Sequence, residues 1–175
     1  MSAEMLEIIK KRRSIRKFTE EEVSDQNLDE ILKAGLLAPS SKNKKPVEFI
    51  VVKDRETIKK LKDCKSMGTI GLDTAPVVIA VIADSETSDV WVEDASIAAT
   101  MMQLVAENLS LGSVWIQMRC RQSTNGGSEA AVREVLNIPE KYGVSCLLAI
   151  GHKAEERAPY KDEDADFNRV HKETY

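Results

Sequence analysis

Ala75-Pro76-Val77-Val78-Ile79-Ala80-Val81-Ile82-Ala83 is an unbroken apolar run of strand length. A strand apolar at every position, rather than at alternate ones, is covered on both faces, so this run predicts the centre of a sheet between helices. Pro76 has no N–H to give to a ladder and fits only near the start. Working outward, residues 47–53, 113–118 and 144–151 are rich in Val, Ile and Leu and read as three more strands, 47–53 as a buried one. Helical spacing fills the gaps. Met5, Leu6, Ile8 and Ile9 form one stripe. Leu28, Ile31, Leu32, Gly35 and Leu36 form a second, started by Ser24 more convincingly than by Thr19-Glu20-Glu21-Glu22 and ended by Pro39. Residues 55–64 follow with Ile58 and Leu61 inward, and residues 128–136 close the series. The longest pattern, 91–109, shows a smooth face of Ala95, Ala98, Ala99, Met102, Val105 and Ala106, with Gly112 read as its cap and Asp94 and Glu107 read as facing solvent. Residues 40–46 read as a loop, 67–71 as a mobile segment and 123–127 as an exposed turn. Strands alternating with helices around one sheet give an α/β or α+β domain.

A chain of 175 residues suits one domain with an arm. The expected division is a domain over residues 1–151 and an arm over 152–175, whose charges and aromatics lack the aliphatic content to hold themselves together. Tyr160, Phe167 and Tyr175 would anchor that arm on another surface. No apolar run is long enough for a membrane span, and the opening residues lack the pattern of a signal peptide, so the expected setting is cytoplasmic. Cys64, Cys120 and Cys146 form no CxxC pair and read as reduced thiols. His152 and His171 are too few for a typical catalytic zinc centre and make a Ser/His/Asp triad hard to build.

The charge is unevenly spread. Six of the eight residues in Lys10-Lys11-Arg12-Arg13-Ser14-Ile15-Arg16-Lys17 are basic; 25 Lys plus Arg less these six leaves 19 against 29 Asp plus Glu. A cationic knot in an otherwise acidic chain fits one localised anion such as a phosphate, rather than a nucleic-acid backbone. Alone it could be a solvated helix end, but Arg12, Ser14 and Arg16 offer two guanidinium forks and a hydroxyl, which suit a phosphate dianion. There is no Walker loop or GxGxxG. Ser40, Ser41 and Asn43 read first as a cap and turn, and second as a heterocycle-recognising group, since an Asn amide both donates and accepts. Trp91 and Trp115 read as core and interface residues.

Taken together, Arg12-Arg13-Ser14-Ile15-Arg16-Lys17-Phe18, Ala38-Pro39-Ser40-Ser41-Lys42-Asn43, Ala75-Pro76-Val77-Val78 and Leu111-Gly112-Ser113-Val114-Trp115 resemble, in this order, the nitroreductase family. The resemblance runs from about Met5 to Gly151. It implies an α+β fold with a mixed central sheet flanked by helices, an intertwined homodimer with an extended C-terminal arm, and FMN sites in the interface. It further implies NAD(P)H as donor, a small oxidised acceptor such as a nitroaromatic or quinone, and ping-pong kinetics, with no nucleic acid and no membrane. By residue it implies that Arg12, Arg13, Ser14 and Arg16 meet the flavin phosphate and ribityl chain. Pro39, Ser40 and Asn43 would approach from the partner subunit, and Ile116 and Gln117 would lie beside the ring. No acid, base or nucleophile of the protein need take part, because the flavin carries the chemistry. The tail departs from the family pattern: Lys161 precedes Asp162-Glu163-Asp164, so Lys161 is a candidate phosphate ligand and Arg157 its competitor. Arg119 and Arg121 also differ from the commonest sequences and could meet the FMN or an anionic substrate. A flavin-dependent dehalogenase, a non-enzymatic flavin-binding protein and a small anion-binding module are the rival readings.

Overall fold

In the computed structural model the central run becomes β2 (Val77–Asp84), paired antiparallel with β1 (Val47–Val52) on one side and with β6 (Tyr142–His152) on the other. β3 (Leu111–Gln117) pairs antiparallel with the far side of β6, giving the order β1-β2-β6-β3. The structure describes residues 2–124 and 126–175; Asn125, part of the turn expected at 123–127, lies outside the described residues. The architecture is α+β. Its parallel component among the described residues is a single bridge between Ser14 and Ser113 at the outer edge of β3.

β2 is buried on both faces because both are covered. Val77, Ile79, Val81 and Ala83 turn toward α2 (Asp25–Leu36) and α4 (Trp91–Asn108). Val78, Ala80 and Ile82 turn the other way, into a cluster with Ile58 and Leu61 of α3 (Arg55–Asp63) and Val132 of α5 (Ser128–Leu136). β1 differs from the buried strand expected at 47–53. It is an edge strand, paired with β2 alone among the described residues, and Val51 is exposed. Apolar content alone does not give strand order.

Ser24 caps α2 by accepting from the Asn27 N–H at 3.2 Å. Thr19 begins no helix; its N–H donates to the His152 carbonyl. Gly112 is not the cap of α4. The helix ends at Asn108 with Leu109 as cap, and Ser110 takes the left-handed φ of 62°. Gly112 is buried within β3, where an added Cβ would come 2.8 Å from Ile15 Cγ2 and 3.0 Å from Lys153 Cγ. The need is for close approach, not for a turn.

α1 (Ser2–Lys11) leads into the basic segment and leaves Met5, Leu6 and Ile9 exposed. Between β3 and α5 the short strands β4 (Gln122–Ser123) and β5 (Gly126–Gly127) form a hairpin. β6 runs to His152, and Lys153 continues as an antiparallel bridge to Phe18. Beyond it Tyr160, Phe167 and Tyr175 are exposed on the chain. Among the described residues no helix is long and apolar enough to cross a membrane, and no group of His, Cys, Asp and Glu could hold a metal ion.

Candidate functional site

Residues 12–16 leave α1 and lie along the outer edge of β3, where the Ile15 N–H donates to the Ser113 carbonyl at 3.0 Å. Extended backbone alternates its side chains: Ile15 is buried against Gly112, while Ser14 and Arg16 turn outward. Arg12 is half-buried, and its guanidinium has no hydrogen bond or ion pair among the described residues. The Ser14 hydroxyl is also unpaired there. Arg16 is exposed. Its guanidinium makes one long contact, 3.5 Å to the Ser14 carbonyl, while its N–H donates to Glu155 at 2.6 Å. That bond, and Arg157 at 3.0 Å, hold the Glu155 carboxyl below the usual range.

Arg13, Lys10 and Lys161 are engaged. Arg13 donates to the Ala158 carbonyl and lies 4.4 Å from the centre of the Tyr160 ring. Lys10 pairs with Glu7 and Asp162, which raise its pKa, Asp162 the more. Lys161 has its amine 3.4 Å from Glu163 and its N–H on Asp164 at 2.7 Å.

α4 supports this segment from beneath. Gln103 donates to the Ser113 hydroxyl at 3.2 Å, and Lys153 donates to both oxygens of Glu107 at 2.7 and 2.8 Å. Glu107, expected to face solvent, is largely buried in that pair. Asp94 likewise turns inward and is buried. It accepts from the Ser41 N–H at 2.8 Å and from the Ser88 hydroxyl at 2.9 Å. The signal was in the spacing: 94, 98 and 102, and 99, 103 and 107, continue the apolar stripe of α4. A polar residue on such a stripe is buried with it and needs a partner.

The second predicted group lies on the loop before β1. Pro39 and Asn43 are exposed, and the Asn43 side chain has no partner among the described residues. Ser40 is used within the loop, its hydroxyl accepting from the Lys45 N–H at 2.8 Å. Lys42, Asn43 and Lys45 have φ of 51°, 54° and 48°, all left-handed without glycine.

The third group is the end of β3. Because Ser113 turns its carbonyl toward Ile15, alternation turns the backbone N–H and C=O of Trp115 and Gln117 to the same outer edge. No strand pairs with that edge among the described residues. Ile116 is buried, and its backbone faces β6. The Gln117 amide is fixed, accepting from Trp115 Nε1 at 2.8 Å and donating to the Arg119 carbonyl at 2.9 Å. A bulge at Ser145 directs its carbonyl to the N–H groups of Met118 and Arg119. Arg119 lies 5.7 Å from the Trp91 ring centre, and Arg121 donates to the Cys120 carbonyl. Neither arginine has a carboxylate partner among the described residues.

In one chain these groups do not all converge. Asp94, which holds the loop, and Gln103 and Glu107, which support the basic segment, stand about 14 to 20 Å apart along α4 at 1.5 Å per residue. The basic segment lies beside Ser113, toward the C-terminal end of α4, whereas the Pro39–Asn43 loop lies at its N-terminal end, as does Arg119 just beyond β3.

The nitroreductase family model matches residues 9–70 and 67–152. A protein of Archaeoglobus fulgidus with the provisional name NADH dehydrogenase/NAD(P)H nitroreductase is 38% identical over 178 residues, covering 98% of this chain and 99% of the relative. An FMN-dependent nitroreductase from Clostridium difficile R20291 superposes with a TM-score of 0.95 at 48% identity, covering 97% of this chain and 99% of the other. A provisionally named nitroreductase of Desulfovibrio desulfuricans, crystallised with FMN, superposes with a TM-score of 0.78 at 29% identity, covering 98% of this chain and 97% of the other.

Proposed function

The chain belongs to the nitroreductase family, and from that premise we propose that it is an FMN-dependent oxidoreductase drawing on NAD(P)H to reduce a small oxidised acceptor. Bound FMN would supply the redox chemistry; the chain's own residues bind, orient and shield it. The residues present fit such a group. Arg12 and Ser14, unpaired among the described residues beside the open edge of β3, suit a phosphate, and Arg16 adds a second guanidinium. Trp115 and Gln117 offer backbone donors and acceptors along that edge to a planar heterocycle, with Ile116 beneath as buried support. That pairing of free cation and free strand edge is the observation that carries the proposal.

Arg13 contributes through the tail it holds, and Lys161 and Arg157 are the further cations able to swing toward a phosphate. Pro39, Ser40 and Asn43 would complete the site from a second copy, because in their own chain they sit too far along α4 from Arg12, Ser14 and Arg16. We accordingly read the protein as a homodimer, with residues 1–151 as the flavin-binding domain and 152–175 as an arm on the partner, working in the cytoplasm. Donor and acceptor would use one exposed face of the flavin in turn, which gives ping-pong kinetics.

The test is spectroscopic. Purified protein incubated with FMN and desalted should stay yellow and bleach on NADH or NADPH. It should then recover colour with one or more of a nitroaromatic, a quinone or a halogenated phenol, which also identifies the acceptor class. Colourless protein would remove the proposal, and yellow protein that neither nucleotide bleaches would make this a flavin-binding protein without turnover.

A further inference from the structure

The first turn of α4 carries a carboxylate that the flavin reading does not use. Asp94 is 3% exposed and commits one oxygen to the Ser41 N–H and the other to the Ser88 hydroxyl. Burial of a carboxylate is tolerated only with such partners. What it holds is an exposed loop. Ser41 opens a short turn, Ser41–Asn43, in which Lys42 and Asn43 are left-handed, and Lys45 follows in the same region. Three non-glycine residues in that region are strained, and such strain persists only where the surroundings over-determine it. Here the surroundings are Asp94 on Ser41, the Ser40 hydroxyl on the Lys45 N–H at 2.8 Å, and Lys44 on the Thr87 carbonyl at 2.7 Å. The outcome is a fixed loop that presents Pro39 and Asn43 outward, with the Asn43 amide unpaired among the described residues.

We propose that Asp94 is a positioning residue acting across the subunit interface: through Ser41 it sets the shape in which the Pro39–Asn43 loop of one chain meets the flavin held at Arg12, Ser14 and Arg16 of the second. The inference rests on the flavin reading above, but adds that loop shape and cofactor affinity are coupled through a buried carboxylate in the chain that does not hold the phosphate.

The test uses flavin-stripped full-length protein titrated with FMN. Asp94→Ala should weaken binding by about tenfold or more, the scale expected for loss of a charge-assisted bond. Asp94→Asn, which can still accept from the Ser41 N–H and meet Ser88, should return close to the wild-type value. A merely structural role is separated by a mixed pair, co-expressed with two tags, of an Asp94→Ala chain and an Arg16→Ala chain. If Asp94 acts on the second subunit's site, both defects fall in one site, and the pair binds one FMN with wild-type affinity. Two weakened sites in the mixed pair, or wild-type affinity in Asp94→Ala, would overturn the inference. Should Asp94→Ala not fold, Ser88→Ala, which keeps the Ser41 bond, takes its place; it should show a smaller loss in the same site, and unchanged affinity counts against us. A wild-type chain that binds no FMN would defeat the flavin reading itself, whereas weak binding by Arg16→Ala with normal binding by Asp94→Ala would defeat only this inference.

Discussion

Three arginines within five residues have different tasks. Arg12 is half-buried and unpaired among the described residues, Arg16 is exposed with one long contact, and Arg13 is taken up by Ala158 and Tyr160. Arg12→Ala should therefore cost the most FMN affinity, about 1.5 to 3 kcal/mol for a charge-assisted contact, and Arg16→Ala should fall toward the low end because water screens an exposed guanidinium. Arg13→Ala should instead free the tail, seen as faster proteolysis beyond Glu155 before any large loss of flavin. Equal losses of flavin from all three would show that exposure does not rank them. The cysteines separate in the same way. Cys120 is exposed, while Cys64 and Cys146 are buried. Burial, then Asp63 and Glu134, pushes the Cys64 thiol from 9.0 to about 11, and burial pushes Cys146 up as well. A thiol reagent should titrate one group quickly in native protein and three after denaturation. The fold holds Cys64 as the neutral thiol, so its contribution to stability is intact below pH 9.0 and is lost as pH rises from there toward about 11. Denaturant melts of Cys64→Ala over that range should show a flatter decline.

Elements were read most securely where local chemistry repeats itself. β2 announced itself by nine apolar residues, α2 by the Ser24 cap, and α5 by its spacing after the Gly126-Gly127 turn. What stayed hidden depends on partners distant in the chain. β1 is apolar enough for a central strand yet lies at an edge, and Asp94 and Glu107 look solvent-facing until Ser41, Ser88 and Lys153 are brought to them. Charge alone singled out the basic segment as a candidate phosphate site, but gave no sign that Arg13 is taken up by the tail. Gly112 is the instructive case. A glycine four residues past a helix end reads as a cap, whereas Ser110 takes the left-handed turn and Gly112 lets Ile15 lie against β3. Gly112→Ala would bring a methyl within 3.0 Å of Ile15 and Lys153, so one of them must shift. The expected cost is about 1 to 3 kcal/mol of stability, as for other overpacked sites, measured by denaturant unfolding. Because Ile15 sits between Ser14 and Arg16, flavin affinity should fall with it; a destabilised variant with weakened flavin binding would fit, and a variant unchanged in both would not.

At the scale of the whole molecule, one chain leaves two kinds of incompleteness. Met5, Leu6 and Ile9 of α1 and Leu36 and Leu37 at the end of α2 are exposed apolar residues on two helices that both pack on α4. The tail lies against its own α1 over a groove of about 640 Å³ lined by Leu6, Ile9, Tyr160 and Phe167, a loose fit. It is held there mainly by surface polar contacts: the Tyr160 N–H on the Lys10 carbonyl, Arg13 on Ala158, and Lys10 with Asp162. Exposed ion pairs contribute little, typically under about 1 kcal/mol each. A second copy would cover the α1 stripe and give Phe167 and Val170, both exposed, an apolar surface. Truncation after Arg157 is the direct probe, since it keeps Glu155 on the Arg16 N–H and Lys153 on Glu107 and removes only the loosely held segment. Sedimentation velocity over a dilution series should show the truncated dimer dissociating at higher concentration than the full chain. On the site proposed above, its FMN affinity should fall in step with dissociation, because the proposed phosphate cations of one chain and the Pro39–Asn43 loop of the other would then part company. A truncated protein that dissociates yet keeps its flavin would mean that one chain suffices for the cofactor. One that stays dimeric at the lowest concentration measured would mean that the tail belongs to its own subunit and that α1 and α2 carry the interface without it.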